Sequence, residues 1–394
     1  MTVPQDVAAP IGGHCQPRFD AVRGLFEENF RRFGDVGAAV AVTIGGELVL
    51  DLWGGYADGE RTTPWAAETI VNTYSTTKGM VALCAHMLID RGLLDPDAPV
   101  ARYWPEFAQA GKESLPLRFL LTHQAGLPAL DVPLPAGSTL NWEVMVSALA
   151  AQRPLWEPGS AMGYQTITFG WLVGEVIRRV AGQTPGQFFQ REVAGPLGVD
   201  YFIGFGPEQD HRVASMLRPT VKLDPGAGPA SRVEGTLGER SFSIAPGAPG
   251  VGVNHRRYRA AEIPAGNGHG TARALAVVYG ALACGGQARG LRLLSPGGVE
   301  RAAALQVEGH DVVLERDARR SLGFMLPSSG DGDVRGDGAF GHPGMGGSVG
   351  YADPARRLGF GYVMNQMGDP QRQVLPDPRW HRLVAALQDV LPEG

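Results

Sequence analysis

The chain has 394 residues, of which 44% are hydrophobic and 19% charged, so it can bury the core of two domains or of one large two-layer fold. Its formal net charge of -5 offers no basic surface, which excludes a nucleic-acid partner. No apolar run reaches the length of a membrane-spanning helix, so we expect no membrane partner either.

The N-terminal segment and the cysteines predict a location in the cell. The first 19 residues, MTVPQDVAAPIGGHCQPRF, contain neither a basic leader nor an apolar core, and we expect no signal peptide. Cys15, Cys84 and Cys284 are too few and too far apart for a disulfide framework or a zinc site. They suit incidental thiols in a reducing compartment, so we expect a cytoplasmic protein without metal or cofactor.

The N-terminal part of the chain predicts a helix, a hairpin and a second helix. Apolar residues in 19–33 recur on one face, which is typical of an amphipathic helix. Two apolar segments on either side of Gly45 and Gly46 predict a β-hairpin. A short extended segment then leads to Ser75, which opens a helix that ends at Gly92.

From about residue 93 to 265 the pattern changes to short helices between loops rich in Pro and Gly. Residues 167–182 predict an amphipathic helix with a Gly stop, and 184–198 predict another helix. The stretch 204–270 is long and irregular, which in a compact protein is usually a sign of function or mobility.

The C-terminal part returns to strands. Thr271 caps a predicted helix, two strand-like segments read GGSVGYAD and GFGYVMNQM, and a last helix covers about 378–391. Strands at both termini with helices between them predict an α+β fold: one antiparallel sheet flanked by helices, and a second, mostly helical lobe. We expect the sheet domain to comprise 1–78 and 266–394, the helical domain 79–265, and the active site to lie in the cleft between them.

Lysine is rare in this chain, and one lysine stands close to a serine. Only Lys78, Lys112 and Lys222 occur among 35 Lys and Arg residues. In NTYSTTKGMVAL (72–83), Lys78 follows Ser75 by three residues, so the two side chains share one helical face. A serine hydroxyl needs a base to become a nucleophile. A buried lysine can lose its proton and serve as that base, whereas an arginine cannot. The bland alternative is a serine N-cap followed by a solvated lysine.

The surrounding motifs decide between these alternatives. The segments STTKGMVAL, LIDRGLLDPDAPVARYWPEF and LRFLLTHQAGLP resemble the serine β-lactamase and penicillin-binding-protein superfamily. The chain is most similar to the class C-like branch that includes the family VIII carboxylesterases, from about residue 20 to 390. This resemblance implies the β-lactamase-like form of the α+β fold and makes Ser75 and Lys78 the catalytic pair.

The resemblance also implies the other site residues. Tyr164, in LWEPGSAMGYQTITF, matches the tyrosine that shares the Ser–Lys proton network. In FGHPGMGGSVGYADP, His342 and Gly344 match the tripeptide that lines the cleft, with Gly344 letting the backbone approach the substrate. The N–H groups of Ser75 and Met345 would form the oxyanion hole. Pro343 departs from the family pattern, and the register of the hole could shift to Gly346.

Several other motifs resemble catalytic or binding sites of other kinds. GGSVG places Ser348 in a G-x-S-x-G pattern, but only one histidine, His381, follows it, and a strand-like segment takes the place of the helix of a nucleophile elbow. We therefore interpret Ser348 as non-catalytic and His123 as a structural residue near the cleft. GNGHG (266–270) suits a plain turn. SGDGDVRGDG places Arg335 where a calcium loop needs an oxygen ligand, so we interpret this segment as a solvated turn and not as a calcium site.

Three features favour ester substrates. Thr166 stands where β-lactamases usually place an Asn that holds the substrate amide, and His342 replaces a cationic Lys. A cytoplasmic enzyme would also not meet cell-wall peptides. We expect a serine carboxylesterase that hydrolyses small or short-chain esters through an acyl-Ser75 intermediate. Trp65, Trp156 and Tyr258 could shape its pocket or could pack in the core.

Two alternatives remain open at this stage. An acyltransferase, or an amidase or β-lactamase, would use the same acyl-enzyme with another acceptor or substrate. A catalytically inactive binding homologue is a different class of protein. The joint presence of Ser75, Lys78 and Tyr164 argues against it.

Overall fold

The structure is a computed structural model that describes residues 9–219, 235–243, 248–328, 333–368 and 376–391. Its strands are β1 (Ile11–Cys15), β2 (Gly37–Ile44), β3 (Glu47–Gly55), β4 (Val71–Asn72), β5 (Tyr201–Ile203), β6 (Gly268–Gly270), β7 (Gln287–Ala288), β8 (Leu291–Arg292), β9 (Val307–Asp311), β10 (Arg316–Arg320), β11 (Phe340–Pro343), β12 (Val349–Asp353) and β13 (Leu358–Met364). Its α-helices are α1 (Asp20–Arg32), α2 (Thr77–Asp90), α3 (Leu117–Leu121), α4 (Trp142–Ala151), α5 (Thr168–Ala181), α6 (Pro185–Phe189), α7 (Gly195–Leu197), α8 (Leu237–Phe242), α9 (Arg256–Ala260), α10 (Ala272–Ala283), α11 (Pro296–Ala303) and α12 (Pro378–Val390).

The main sheet is antiparallel and draws its strands from both ends of the chain. Its strand order is β1-β3-β2-β13-β12-β11, so β2 from the N-terminal part pairs with β13 from the C-terminal part. The pairing of β2 and β3 through Gly45 and Gly46 confirms the predicted hairpin; both glycines have positive φ, as a two-residue turn requires. The predicted antiparallel sheet flanked by helices is confirmed, whereas the division into two domains stays a prediction.

Helix α10 packs directly on this sheet because glycines leave room for its backbone. A Cβ atom on Gly359 of β13 would lie 2.2 Å from both the Ala276 carbonyl oxygen and the Gly280 nitrogen. A Cβ atom on Gly361 would lie 2.2 Å from the Ala272 carbonyl oxygen. These glycines therefore allow a contact that no larger residue would permit without moving the helix away from the sheet.

Helix α2 carries Lys78 and lies in the interior of the protein. Every residue from Thr77 to Ile89 is buried, which explains why the helix shows no polar face. It packs against α5, α6 and α11, so its start is held on several sides. The polar side chains on this helix must therefore find their partners inside the protein.

A small three-stranded sheet in the order β4-β6-β5 leads the chain into the turn before α2. Residues 268–270 of the GNGHG segment form β6, its central strand, so the expectation of a plain turn was wrong for these three residues, while Gly266 does lie in a turn. Gly268 makes this possible, because a Cβ atom there would lie 2.3 Å from Tyr201 Oη and 2.5 Å from Thr77 Oγ1. The Gly268 carbonyl accepts a hydrogen bond from the Thr73 N–H over 2.8 Å. This sheet thus anchors the segment that precedes Ser75.

Other elements agree with the sequence or extend it. The helices predicted at 19–33, 167–182 and 378–391 and the Thr271 cap are confirmed. The helix predicted at 184–198 is interrupted by a π-helical stretch, Gln190–Ala194. The sequence did not predict β1, α4, α11 or the β9–β10 hairpin. Part of the irregular stretch 204–270 lies outside the described residues, and within the described residues no helix is long and apolar enough to cross a membrane.

Replacing Gly359 by Ala tests the contact between α10 and the sheet. We expect Gly359→Ala to lower the free energy of unfolding by about 1–3 kcal/mol, because the new Cβ atom meets the helix backbone. Thermal unfolding followed by circular dichroism measures the change. Gly24→Ala is the matched control, since Gly24 lies on an exposed part of α1 with open space around it. Equal melting temperatures for the two variants would contradict the prediction.

Candidate active site

Ser75 lies in a tight turn between β4 and α2. The turn, Tyr74–Thr76, is 3-10 helical, and Tyr74 has a left-handed backbone with φ 46°, which costs a non-glycine residue about 1–2 kcal/mol. Two hydrogen bonds hold it: the Tyr74 N–H donates to Asn72 Oδ1 over 2.7 Å, and Thr77 Oγ1 donates to the Tyr74 carbonyl over 2.5 Å. Ser75 thus precedes α2, is not its N-cap, and stays partly exposed.

The Lys78 amine is buried against three oxygen atoms. Its Nζ lies 3.0 Å from Ser75 Oγ, 2.7 Å from the Thr166 carbonyl oxygen and 3.0 Å from the Ala265 carbonyl oxygen. Burial, with a smaller contribution from the positive charge of Arg320, holds the pKa of Lys78 well below its usual range. A neutral amine has two N–H donors and one lone pair, which matches two carbonyl acceptors and one hydroxyl donor.

Tyr164 completes the group around Ser75. It lies in the loop before α5, and its ring centroid is 4.8 Å from Lys78 Nζ. Burial raises the pKa of Tyr164 to about 12, although its hydrogen bond with the Ser75 side chain and the charge of Arg320 oppose this shift. The phenol is therefore protonated at neutral pH and can donate a proton to a group bound near Ser75.

A buried ion pair that the sequence analysis did not single out holds Tyr164 in place. Asp311, at the end of β9, accepts hydrogen bonds through Oδ1 from the N–H groups of Tyr164, Val313 and Leu314 at 3.0, 3.0 and 2.9 Å. Its other oxygen pairs with Arg320 of β10, whose guanidinium lies 5.3 Å from the Tyr164 ring centroid. The backbone and the ring of Tyr164 are thus both held by one hairpin.

His123 supports the same loop from the other side. Its ring centroid lies 5.0 Å from that of Tyr164 and 5.2 Å from that of Phe169, and it is buried. Its Nδ1 accepts a hydrogen bond from the Gln165 N–H over 3.1 Å. His123 thus packs beside Tyr164, in the place that the sequence analysis expected.

His342 is buried next to Tyr164. Its Nδ1 donates to the Pro343 carbonyl over 2.7 Å, which leaves Nε2 as an acceptor without a partner among the described residues. The rings of His342 and Tyr164 lie 6.1 Å apart at an interplanar angle of 29°. Burial, and next the nearby Lys78, hold the pKa of His342 well below its usual range, so the imidazole is neutral.

Gly344 makes a close approach to protein atoms. A Cβ atom on Gly344 would lie 2.2 Å from both Ser348 Oγ and the Thr73 carbonyl oxygen. Its small size therefore lets the turn after β11 pack against the segment that carries Ser75, and the expected approach of its backbone to the substrate stays a prediction. Gly346, with φ 86°, accepts hydrogen bonds through its carbonyl from Arg379 and from the Gly368 N–H.

Ser348 has a structural setting. It is 1% exposed, and its Oγ donates to the Thr73 carbonyl over 2.7 Å and lies 3.1 Å from Thr76 Oγ1. Strand β12 follows it directly, as expected, where a nucleophile elbow would need a helix. The two residues that Ser348 contacts flank Ser75, so it links the turn after β11 to the nucleophile segment.

One cavity of about 520 Å³ opens onto Ser75, a usual size for a small-molecule site. Its lining consists of Tyr74, Ser75, Thr166, Ile167, Glu239, Phe242, Ser243, Tyr258, Ala265, Gly266 and Met345. Of the predicted site residues, Ser75, Thr166 and Met345 line this cavity together. His342, Gly344 and Gly346 are not part of the lining, and their role in substrate binding stays a prediction.

Comparison with known proteins agrees with this geometry. Residues 26–384 match the Beta-lactamase family. The chain belongs to that family. It is 38% identical to the esterase/beta-lactamase LipL of Mycobacterium tuberculosis over 384 residues, covering 93% of this chain and 85% of LipL.

Two solved structures are similar over nearly the whole chain of this β-lactamase-family protein. A family VIII carboxylesterase superposes with a TM-score of 0.87 at 41% identity, covering 97% of this chain and 100% of the other. A penicillin-binding-protein homologue from Caulobacter crescentus superposes with a TM-score of 0.88 at 39% identity, with the same coverage. The recognition and the fold class expected from the sequence are therefore confirmed.

Thr166 takes part in the site through both its backbone and its side chain. Its carbonyl accepts from Lys78, while its Oγ1 lies 2.8 Å from Ser241 Oγ. Ser241 in turn donates to the Tyr164 carbonyl over 3.2 Å. Thr166 therefore connects helix α8 with Lys78, a link for which the sequence holds no visible signal.

Of the three aromatic residues that could shape the pocket, only Tyr258 lines the cavity. Trp65 packs in the core, and Trp156 Nε1 donates to the Ala161 carbonyl over 3.1 Å within its own turn. Part of the SGDGDVRGDG segment lies outside the described residues; within the described part, Arg335 pairs with Asp333. Across the residues that the structure describes, no group of three or more His, Cys, Asp or Glu side chains could hold a metal ion.

The Asp311–Arg320 pair predicts a measurable effect on the reactivity of Ser75. In Asp311→Asn/Arg320→Met the positive charge near Lys78 disappears without leaving an unpaired carboxylate, so the pKa of Lys78 rises. We expect the pH profile for the labelling of Ser75 by a fluorophosphonate to move to higher pH, so that the double variant needs a higher pH to reach the same fraction of its maximal rate.

Arg102→Met, a change at an exposed arginine, is the control for this double variant and should keep the parent profile. The readout is the labelling rate between pH 5 and pH 10. A midpoint that does not move in the double variant, in protein with native circular dichroism, would contradict the electrostatic role of Arg320.

Proposed function

We propose that this protein is a serine carboxylesterase that hydrolyses small or short-chain carboxylic esters through an acyl-Ser75 intermediate. The observation that carries the proposal is the position of the Lys78 amine, 3.0 Å from Ser75 Oγ and bonded on its other sides to two backbone carbonyls. This arrangement suits an amine that takes the proton of the serine hydroxyl.

In the first step, the ester carbonyl lies near Ser75 Oγ in the cavity. The two N–H groups of neutral Lys78 remain on the carbonyls of Thr166 and Ala265, so its lone pair faces the Ser75 hydroxyl. As Oγ forms a bond to the carbonyl carbon, its proton moves to Lys78. The developing negative charge on the carbonyl oxygen is stabilised by the backbone N–H groups of Ser75 and Met345.

In the second step, the alcohol leaves. Tyr164, with its pKa raised to about 12, holds a proton at neutral pH and donates it to the departing alkoxide. Protonated Lys78 then returns a proton to the Tyr164 oxygen, so both groups regain their starting states. A water molecule attacks the acyl-Ser75 ester by the reverse sequence of proton transfers, releasing the acid and restoring the Ser75 hydroxyl.

Several observations favour an ester over a β-lactam. The Thr166 side chain is engaged with Ser241, and Thr166 lacks the amide that would hold a substrate amide group. His342 is neutral and is not part of the cavity lining, so the described lining residues include no cation that would bind a lactam carboxylate. The similarity to a family VIII carboxylesterase supports the same choice.

Other activities use the same acyl-enzyme. The name of LipL combines esterase and β-lactamase, which keeps β-lactam hydrolysis as a second candidate for this chain. An acyltransferase or an amidase would differ only in the acceptor or in the bond that is broken. An inactive binding homologue would have no need for the contacts among Ser75, Lys78 and Tyr164. The cytoplasmic location expected from the sequence stays a prediction.

Two serine variants test the choice of nucleophile and substrate. We expect Ser75→Ala to lower kcat/KM for p-nitrophenyl acetate and butyrate by about 10³-fold or more, because the acyl group then has no acceptor. Ser348→Ala should keep most of this activity, since it removes only a structural hydrogen bond. Nitrocefin turnover should be slow in the parent protein. The reverse mutant pattern would refute Ser75, and fast Ser75-dependent nitrocefin turnover would refute the ester preference.

Replacing Lys78 by Arg tests whether the base must lose a proton. We expect kcat/KM for p-nitrophenyl butyrate to fall by about 10²–10⁴-fold, with no recovery at high pH, because a guanidinium stays protonated. In the parent protein kcat/KM should decline as the pH drops through the pKa of Lys78, since protonation removes the lone pair.

Lys112→Arg is the matched control for this substitution. Lys112 is also fully buried, and its Nζ donates to the carbonyls of Gln109, Ala150 and Gln152, far along the chain from the site. Lys112→Arg therefore shows how much activity is lost when a buried lysine is replaced by arginine without a change at Ser75, Lys78 or Tyr164. Equal activity loss in both variants would show that the effect is structural and would contradict the role of Lys78.

A further inference from the structure

The described part of the lining of the cavity that opens onto Ser75 contains one acidic side chain. Among the described residues that line it, Glu239 is the only one with an ionisable acidic or basic side chain of the Asp, Glu, Lys, Arg or His type. The rest of the lining is hydroxyl-bearing, apolar or glycine. A ligand in this cavity therefore meets a net negative lining.

The cations near the catalytic group do not offset this charge within the cavity. Lys78 lies beneath Ser75, fully buried among carbonyl oxygens. Arg316 and Arg320 act on Tyr164 from β10, and neither lines the cavity; Arg320 is paired with Asp311. Among the described residues, these positive charges therefore lie outside the cavity lining, whereas the acidic side chain of Glu239 belongs to it.

Glu239 lies in helix α8, and the hydrogen bonds that hold it come from groups without a formal charge. Its Oε2 accepts a hydrogen bond from the Gly235 N–H over 2.8 Å, and its own N–H donates to Thr236 Oγ1 over 3.2 Å. The next residue, Arg240, pairs with Asp131 over 2.5 Å instead of with Glu239. Glu239 is partly buried, so its field acts on a ligand with less screening than at the open surface.

Three aromatic side chains share the cavity with this carboxylate: Tyr74, Tyr258 and Phe242. Aromatic rings attract organic cations through the negative potential of their faces. The two phenols are neutral under physiological conditions, because burial raises the pKa of Tyr74 above its ordinary value and raises that of Tyr258 to about 12. A carboxylate among aromatic rings is the chemistry that recognises an alkylammonium group.

We propose that Glu239, with Tyr74, Phe242 and Tyr258, forms a subsite for a positively charged amine, so that the preferred substrates are esters carrying an alkylammonium group. The inference rests on the proposed ester hydrolysis at Ser75 and names its substrate class. The same subsite repels substrates with a free carboxylate, such as β-lactams, in agreement with the ester preference.

A pair of esters that differ only in charge tests the subsite. Acetylcholine and its neutral carbon isostere, 3,3-dimethylbutyl acetate, share shape and leaving-group position. We expect the parent protein to hydrolyse the cationic ester with a kcat/KM about tenfold higher, as measured by acid release. Glu239→Gln should lower this ratio several-fold, because kcat/KM falls more for the cationic ester than for the neutral one. Glu60→Gln, at an exposed position outside the lining, should keep the parent ratio.

A binding measurement separates failure of the subsite from failure of the proposed function. Tetramethylammonium should slow the labelling of Ser75 by a fluorophosphonate in the parent protein, and much less in Glu239→Gln. If neither ester is cleaved, ester hydrolysis fails, and this protection assay alone decides the subsite. Equal kcat/KM for the two esters, or protection that does not depend on Glu239, would overturn the proposal.

Discussion

The burial of the Lys78 amine is the constraint on which the rest of the site depends. A charged ammonium in this position would lie away from water, so the protein favours the neutral amine. The two carbonyls of Thr166 and Ala265 take its N–H groups and come from distant parts of the chain. Because these carbonyls hold the amine, the loop before α5 and the segment before β6 together set the position of Lys78 Nζ beside Ser75.

The fold supplies the rigidity that this arrangement needs. Helix α2 is buried on all sides, and the small β4-β6-β5 sheet anchors the turn in front of it. The hairpin of β9 and β10 holds Tyr164 through a buried ion pair, whose loss on one side only would cost about 3–5 kcal/mol. Gly344 lets the turn after β11 meet the Ser75 segment. Ser75, Lys78 and Tyr164 are thus each held by contacts with distant parts of the chain.

Much of the molecule could be predicted from the sequence because its signals are local. Periodic apolar residues predicted α1, α5 and α12, and the Gly-Gly turn predicted the β2–β3 hairpin. The spacing of Ser75 and Lys78, with the flanking motifs, led to the family and to the fold class. Ser348 was interpreted as non-catalytic because a strand-like segment follows it where a nucleophile elbow needs a helix. In each case neighbours along the chain carry the physical cause.

What only the tertiary structure decided depends on contacts between distant residues. The role of Asp311 and Arg320 arises where a hairpin packs against the Tyr164 loop, and no local pattern marks a buried ion pair. Residues 268–270 form a strand because Gly268, without a Cβ atom, leaves room for the Tyr201 side chain. Gly344 packs against protein because Thr73 and Ser348 occupy the space beside it. The position of Glu239 in the cavity lining likewise depends on the fold, because the residue lies far from Ser75 along the chain. The sequence determined the chemistry at Ser75, and three-dimensional packing determined its electrostatic surroundings, because fields and close contacts act through space and not along the chain.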